Sequence, residues 1–293
     1  MSKQPGLLFD APGPKARRNI WIVNIVGLVV ILGIAWFIID ALNEKGQFTS
    51  EKWAPLAEWS TWENNYLPGI MATIRAAAVA IVLANIVGLV LGLGRLAQNP
   101  IVRGIAGTIV EFFRAVPVLV LMLFFNILFS RTLAPDGALF DQRDAPFLAV
   151  VVGLTLYNSA VIAELVRSGV HTLPGGQREA ALAIGMPRGK SLRIVELPQA
   201  LVAMMPAMVS QLVVILKDSS LGYLVSYSEL LLNGRLVGTT NANLLPSLFV
   251  VACIFIILNL TLTTIAGALA KFLDPHTAAR AKKHDPALTV EAD

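Results

Sequence analysis

Residues 176–200 read GQREAALAIGMPRGKSLRIVELPQA and lie between the fourth and fifth of six hydrophobic runs in the chain. The segment Gln177–Ile184 favours a short helix, with Glu179 near its positive N-terminal end. Gly185 can adopt the left-handed conformation that ends a helix, and Pro187 keeps the residue before it out of the helical region. The pattern therefore predicts a compact polar element that protrudes from an apolar chain.

A second short helix is predicted from Arg188 to Glu196, with Pro198 separating it from the next hydrophobic run. Its basic residues indicate a cytoplasmic location, and Leu192 and Val195 give it one apolar side. The small alanines of the first helix would let the surface of a partner approach closely. We call residues 175–199 the docking stub, because this helix, turn and helix are suited to seat in another protein.

The composition places the chain among polytopic membrane proteins. It is 56% hydrophobic and 14% charged, with a mean hydropathy of +0.69, far from the values of soluble domains. A spanning helix needs about 20 mostly apolar residues. Spans are predicted at 20–39, 70–94, 108–130, 146–166, 200–216 and 245–270. The first is a retained helix rather than a signal peptide, because its apolar run is too long and no cleavage site follows it.

Basic residues predict the orientation of these spans. The two tails, Lys271 just before the second of them, the 95–114 connection and the 167–193 region hold 16 of the 23 Lys and Arg residues, which places them in the cytoplasm. The chain then divides into a cytoplasmic tail at 1–19, a spanning helix at 20–39, an outer aromatic-rich connection at 40–69, a main domain at 70–273 and a cytoplasmic tail at 274–293. This sidedness accounts for the net charge of +4, so no nucleic-acid partner is implied.

Several motifs carry a resemblance to a known family. Within the stub, Glu179-Ala180-Ala181, Gly185, Ile194 and Leu197-Pro198 resemble the EAA loop of bacterial ABC importer permeases. EFFRAVP at 111–117, YNSAVIAELVR at 157–167, LKDSSL at 216–221 and Glu229-Leu230 are similar to the polar amino-acid branch, which serves His, Glu, Gln, Arg and opines. The resemblance implies an all-α polytopic fold, with a five-helix permease core at 70–273 and one extra N-terminal transmembrane helix.

The resemblance also implies the rest of a transport machine. Expected partners are a cytoplasmic ABC ATPase dimer, a second permease subunit that is identical or related to this chain, an extracytoplasmic amino-acid-binding protein, the lipid bilayer and an amino-acid substrate. ATP and Mg would bind the ATPase, with no cofactor and no catalytic residue in this chain. The substrate expectation is glutamate or another acidic or amide amino acid, with basic amino acids such as arginine or histidine as the alternative. The docking residues implied are Gln177, Glu179, Ala180, Ala181, Ile184, Gly185, Met186 and Arg188.

Other classes of function find less support in the residues. The segment 185–191 has only three residues between its glycines and no preceding strand, so it cannot be a phosphate-binding P-loop. An ion-coupled secondary transporter remains the alternative, but the hydrophobic centres contain no Asp or Glu for a coupling site. Neither a metal site nor a membrane-embedded enzyme is expected, because the histidines lack ligand spacing and the single Cys253 lies in the sixth span.

Polar residues inside the spans are candidates for a substrate path, because each must pair or face water. For each of them a hydrogen bond between helices is the competing interpretation. The charged end of the fifth span could bind the ammonium and carboxylate groups of an amino acid or could be a neutralised helix end. Arg75 could attract an acidic substrate or extend to the lipid headgroups. The candidates are Arg75, Asn85, Asn126, Asn158, Gln211, Lys217, Asp218, Ser219 and Ser220, with Asn259 in the last span.

Residues near the inner ends of the third and fourth spans are candidates for supporting the stub. Glu164 and Arg167 lie three residues apart on one helical face, where they can form a local salt bridge or fix the helix that leads into the stub. Arg114 precedes Pro117, which we expect to kink the third span and change its direction. Gly88 and Gly92, with further glycines up to Gly107, suggest close helix packing in and after the second span.

Overall fold

The computed structural model describes residues 13–133 and 141–273, so the predicted tail 274–293 and most of the tail 1–19 lie outside the described residues. The described residues form helices, turns and no strand. The helices are α1 (Pro14–Glu44), α2 (Ser50–Ala57), α3 (Trp59–Arg95), α4 (Pro100–Ala115), α5 (Val118–Ile127), α6 (Ala145–His171), α7 (Gly175–Ala183), α8 (Arg188–Val225), α9 (Leu230–Thr240) and α10 (Leu244–Leu273).

Two compact units follow each other along the chain, the first ending at Pro55 and the second beginning at Leu56. In the first unit, α1 is a 31-residue helix without a buried residue. Its length and apolar side chains suit a membrane span, which matches the predicted extra N-terminal helix. In the second unit, α3, α8, α10 and the segment Gln142–His171 are also long and apolar enough to cross a membrane.

The third predicted span, 108–130, is wrong as a single helix. The chain breaks between α4 and α5, and the two helices meet at a bend of 94°. Val116 is extended (φ −87°, ψ 126°) because the ring of Pro117 excludes the helical region for the residue before it. The expected kink at Pro117 is therefore a complete change of direction, and the pair counts as at most one bent span.

The expected separation at Pro198 is also wrong, because α8 runs without interruption from the stub into the fifth span. Residues Leu192–Glu196 form a π-helical turn, in which the N–H of Leu197 donates to the carbonyl of Leu192, five residues back. Pro198 has no N–H and would clash within a regular α-helix, but this wider turn accommodates its ring. The fifth span also continues beyond its predicted end at 216, through Asp218 and a 3-10 turn to Val225.

A π-helical turn before a proline also lengthens the second span, whose helix begins at Trp59 rather than at 70. A π-helical turn at Trp62–Tyr66 precedes Leu67 and Pro68, and the N–H of Leu67 donates to the carbonyl of Trp62. The first turns of α3 are too polar for a hydropathy window to include. Part of the predicted outer connection 40–69 is therefore the beginning of a membrane helix.

Small residues bring α3 and α6 into close contact at the centre of the core. Ala76, Ala80, Ala84, Gly88 and Gly92 recur every four residues along α3, and all five are buried. A Cβ atom at Gly88 would lie 2.7 Å from the side chain of Ile162, and one at Gly92 would lie 2.8 Å from Val166. Close packing predicted from Gly88 and Gly92 is confirmed, whereas a Cβ at Gly104 or Gly107 would meet nothing within 4 Å in the described part of the chain.

The packing at Gly88 yields a first prediction. We expect Gly88→Val to lower the stability of the purified permease by about 1–3 kcal/mol, because the added side chain must displace Ile162 or the α6 backbone. Gly104→Val is the matched control, since this helical position is open and should be near wild type. Fluorescence-detected size exclusion after heating measures the difference. Equal melting temperatures for the two variants would show that the α3–α6 contact is not close-packed.

Candidate docking site and the ionic cluster behind it

The first half of the docking stub is α7, a helix of nine residues that follows Pro174. Gly185 ends it with a left-handed backbone conformation (φ +83°), as the sequence predicts. The N–H of Met186 donates to the carbonyl of Ala181 at 3.1 Å, and the N–H of Gly185 donates to Leu182 at 3.0 Å. These two bonds form the glycine-dependent motif that satisfies the last carbonyls of a helix.

Most of the implied docking residues lie on the surface of the stub. Ile184 is an apolar side chain that is 79% exposed, so it is accessible to a partner. Ala181 differs from the others because it is buried, where its small side chain lets α7 lie close to the rest of the stub. The exposed positions are Gln177, Glu179, Ala180, Ile184, Gly185 and Arg188, with Met186 partly exposed.

The second half of the stub is the beginning of α8. The hydroxyl of Ser191 donates to the buried carboxylate of Glu196 at 2.9 Å across the π-helical turn. The side-chain amide of Gln199 donates to the carbonyl of Val195 at 2.9 Å and lies 3.5 Å from the side-chain oxygen of Gln177 on α7. No break separates this region from the membrane-spanning part of α8.

A cluster of charged residues lies at the end of α6 that leads into the stub. The predicted salt bridge between Glu164 and Arg167 is confirmed at 2.6 Å. The same carboxylate also accepts from Arg95 of α3 at 2.6 Å and lies 3.7 Å from Arg114 of α4. Glu164 thus joins three helices through three arginines, whereas the sequence indicated only a local pair on α6.

The bend at Pro117 determines how α4 contributes to this cluster. Arg114 stands three residues before Pro117, in the last turn of α4, so the helix end delivers its guanidinium group beside Glu164. Arg95, in the last turn of α3, also lies 3.6 Å from Glu111 of α4. The ionic cluster therefore ties the ends of α3 and α4 to the helix that continues into the stub.

The substrate-path candidates are dispersed, with one direct pair among them. The side-chain amide of Gln211 on α8 donates to the oxygen of Asn158 on α6 at 2.6 Å, and Asn158 is fully buried. Asn85 donates to a carbonyl of its own helix, as do the hydroxyls of Ser219 and Ser220. These bonds support the helix-pairing interpretation for Asn158 and Gln211 and the helix-end interpretation for the two serines.

Three further candidates retain polar or charged groups without a partner of these kinds. The side-chain oxygen of Asn126 is buried without a hydrogen-bond partner in the described part of the chain. Lys217 is exposed and Asp218 partly exposed, and neither forms a salt bridge with any described residue. The structure therefore does not join Lys217 and Asp218 to the other candidates.

Arg75 lies apart from the ionic cluster, on the surface of α3. Its guanidinium group is 4.5 Å from the ring centre of Phe147, and the ring of Tyr227 lies 5.8 Å from that of Phe147. A cation held over an aromatic face remains able to bind an anion on its other side. No acidic side chain of the described residues forms a salt bridge with Arg75.

Sequence reasoning missed the residues that hold α9 in place. Glu229 is fully buried, and its carboxylate accepts the N–H groups of Leu231 and Leu232 at the beginning of α9. The hydroxyls of Tyr66 and Ser247 are 2.7 Å apart, and Ser247 also donates to a carbonyl of α9. An acidic residue before a leucine run is a helix-capping signal, so Glu229 could have been assigned this role.

Comparison with known proteins agrees with these features. Residues 84–277 match the family described as binding-protein-dependent transport system inner membrane component. The glutamate transport system permease protein GluD of Corynebacterium glutamicum is 43% identical over 244 residues, which are 83% of this chain and 86% of that protein. The arginine transport system permease protein ArgU of the same organism is 29% identical, over 78% of this chain and 73% of that protein.

Solved structures show the same fold. An amino acid ABC transporter with histidines aligns with a TM-score of 0.61 at 23% identity, covering 70% of this chain and 92% of that chain. The inward-facing MetNI methionine ABC transporter aligns with a TM-score of 0.59 at 21% identity, covering 74% and 99%. The chain belongs to the family of binding-protein-dependent transport system inner membrane components, the permeases of ABC importers.

Proposed function

We propose that this chain is the permease subunit of an ATP-driven importer of acidic amino acids and that a separate ATPase moves it through the docking stub. The observation that carries the proposal is the exposed stub surface around Ile184 and Gly185, which continues without a break into α8. ATP and Mg belong to the ATPase, because the stub lacks the spacing of a P-loop.

The assembly that we propose contains two permease subunits, a cytoplasmic ABC ATPase dimer and an extracytoplasmic amino-acid-binding protein. Both termini and the stub face the cytoplasm, in agreement with the distribution of Lys and Arg. Closure of the ATPase dimer displaces the two stubs, and the ionic cluster around Glu164 carries this displacement to α3 and α4. The permeases then alternate between two conformations that open to opposite sides.

Two observations favour an acidic substrate. The relative that is 43% identical is a glutamate permease, and the glutamate/aspartate import permease GltK of Escherichia coli is 26% identical over 72% of this chain. Arg75, without an acidic partner in the described part of the chain, can hold a carboxylate between its guanidinium group and water. In this proposal Asn158 and Gln211 link α6 to α8 through their hydrogen bond.

A basic amino acid is the second candidate substrate. It is favoured by the similarity to the arginine permease ArgU and by Asp218, a carboxylate within α8 that has no salt-bridge partner among the described residues. An acidic substrate requires a positively charged side chain in the path, and a basic substrate requires a negatively charged one. Competition between glutamate and arginine for uptake therefore shows which of the two is transported.

Uptake into sealed proteoliposomes tests the energy source. The vesicles contain this permease, its partner permease and the ATPase, with ATP and Mg on the ATPase side and the binding protein with labelled glutamate on the other. We expect uptake that needs ATP hydrolysis and persists when the membrane potential and proton gradient are collapsed. Uptake without ATP, driven by an ion gradient, would instead support a secondary transporter.

Arg75 provides a second prediction, on specificity. Arg75→Gln is expected to raise the KM for glutamate about tenfold, because the charged partner of the side-chain carboxylate is lost. The KM for glutamine should change much less in the same variant, and Arg75→Lys should retain part of the preference for glutamate. Equal changes for glutamate and glutamine would assign Arg75 to packing against Phe147 rather than to substrate charge.

A further inference from the structure

An arginine-lined cavity lies between the docking stub and the ends of the neighbouring helices. Its volume is about 960 Å³, in the upper part of the range of small-ligand pockets. Among the described residues, five arginines from α3, α4, α7 and α8 line it, and Glu196 is the single carboxylate. The arginines are Arg95, Arg103, Arg178, Arg188 and Arg193.

Most of this positive charge is not neutralised within the described residues. Glu196 is buried and already accepts a hydrogen bond from Ser191, and Arg95 is committed to Glu164. The other four arginines are exposed and form no salt bridge with any described acidic residue. Like charges gathered around a concave surface repel one another, so an anion bound there would be strongly favoured.

The position of the cavity defines the kind of anion. Arg95 and His171 are the last residues of α3 and α6, so the cavity lies where two of the candidate spans end. Leu93, Leu173 and Leu192 add apolar side chains to its lining, which suits the beginning of an acyl chain. Basic pockets between membrane helices on the cytoplasmic side are suited to anionic lipid headgroups.

An acidic surface of the ATPase is the competing occupant. The cavity is lined by Gln177 and Arg188 of the implied docking set, but not by Glu179, Ile184 or Gly185. It is instead bounded by the ends of the spans, which a partner seated on the exposed Ile184 surface does not need to reach. These contacts favour a membrane lipid over the ATPase.

We propose that this cavity binds the phosphate group of an anionic phospholipid from the leaflet on the stub side. Guanidinium groups suit this ligand because each can donate two parallel hydrogen bonds to phosphate oxygens. Since Arg178 belongs to α7 and Arg103 to α4, one headgroup would connect the stub to the end of the membrane domain. This proposal rests on the proposed function in one respect, which is that the stub and the bound lipid lie on the cytoplasmic side of the membrane.

Binding to the purified full-length permease tests the site without ATP or transport. The probes are short-chain phosphatidylglycerol, short-chain phosphatidylcholine and inorganic phosphate, each titrated into detergent-solubilised protein. The test variant is Arg103→Gln with Arg178→Gln, and the control with the same net charge is Arg131→Gln with Arg143→Gln, whose arginines do not line the cavity. A second test variant combines Arg188→Gln with Arg193→Gln. Only variants that elute as monodisperse protein are compared.

We expect phosphatidylglycerol to bind the wild type and the control variant saturably and to bind the test variant about tenfold more weakly. Phosphatidylcholine should bind none of them. Equal binding of phosphatidylglycerol to all variants would overturn the site, and inorganic phosphate competing as strongly as the lipid would assign it to a free anion. Unchanged lipid binding with loss of ATPase co-purification would assign the arginines to the ATPase surface. ATP-driven uptake, measured separately, tests the proposed function independently.

Discussion

Gly185→Val is expected to abolish ATP-driven uptake while leaving the permease inserted in the membrane. Gly185 has φ +83°, a conformation that is strongly unfavourable for a β-branched residue. The substitution would break the bonds that end α7, a helix of only nine residues that is marginal on its own. We expect the ATPase to co-purify with the variant at less than about a tenth of the wild-type level, since a loss of roughly 1.4 kcal/mol weakens binding tenfold.

Gly189→Val provides the matched control for this substitution. Gly189 lies four residues further along the chain and is also exposed, and a Cβ atom at either glycine would meet nothing within 4 Å. The two positions differ in backbone conformation, because Gly189 is helical and does not have a positive φ. Wild-type ATPase co-purification with Gly185→Val, or equal loss with both variants, would contradict the role of the left-handed turn.

Glu164→Gln is the second substitution with a large expected effect. It leaves Arg95, Arg114 and Arg167 close together without the carboxylate that neutralises them. Breaking a buried ion pair costs about 3–5 kcal/mol, and we expect about 2 kcal/mol here because the cluster is partly exposed. ATP-driven uptake should fall roughly tenfold, because the ends of α3 and α4 are no longer tied to the helix before the stub. Thermal unfolding and uptake of the same preparation measure both effects.

Glu111→Gln is the control within the same cluster. Glu111 also faces Arg95, but at 3.6 Å and with 73% of its side chain exposed, against 23% for Glu164. Exposed ion pairs contribute about 0–1 kcal/mol, so this variant should remain close to wild type. If the two substitutions had equal effects on unfolding and uptake, Glu164 would not be the centre of the cluster.

The parts of the fold that depend on local chemistry could be predicted from the sequence. The helix of the stub and its end at Gly185 follow from helix propensity and from the glycine conformation, and both are observed. The apolar runs also locate the long helices, because a membrane span requires about 20 such residues. Hydropathy carries no information on direction, so the change of direction expected at Pro117 was predicted without its size, which is a bend of 94°.

Two prolines have opposite effects on the helices around them, for a physical reason. Pro117 follows an extended residue and ends a helix, whereas Pro198 follows a π-helical turn and lies inside one. The rule that proline breaks a helix concerns the α-helix, in which each N–H donates a hydrogen bond to the carbonyl of the fourth preceding residue. In a π-helical turn the N–H donates to the carbonyl of the fifth preceding residue. A single sequence does not distinguish these cases, because the turn is stabilised by contacts such as that between Ser191 and Glu196.

The ionic cluster and the surroundings of Arg75 depend on contacts between distant parts of the chain. Arg95 and Glu164 are 69 residues apart, so no local spacing reveals their bond. The spacing of Glu164 and Arg167 predicts only the pair on α6, which is one of three interactions of this carboxylate. Arg75 and Phe147 likewise lie on different helices, α3 and α6, so no local spacing reveals their contact.

The π-helical turn at Leu192–Glu196 has a geometric consequence for transport. A π-helical turn contains one residue more than a regular turn, and each residue of an α-helix accounts for about 100° of rotation around the axis. The turn therefore sets the angular phase between the stub and the membrane part of α8. In the proposed mechanism, this phase would decide in which direction α8 tilts when the ATPase displaces the stub.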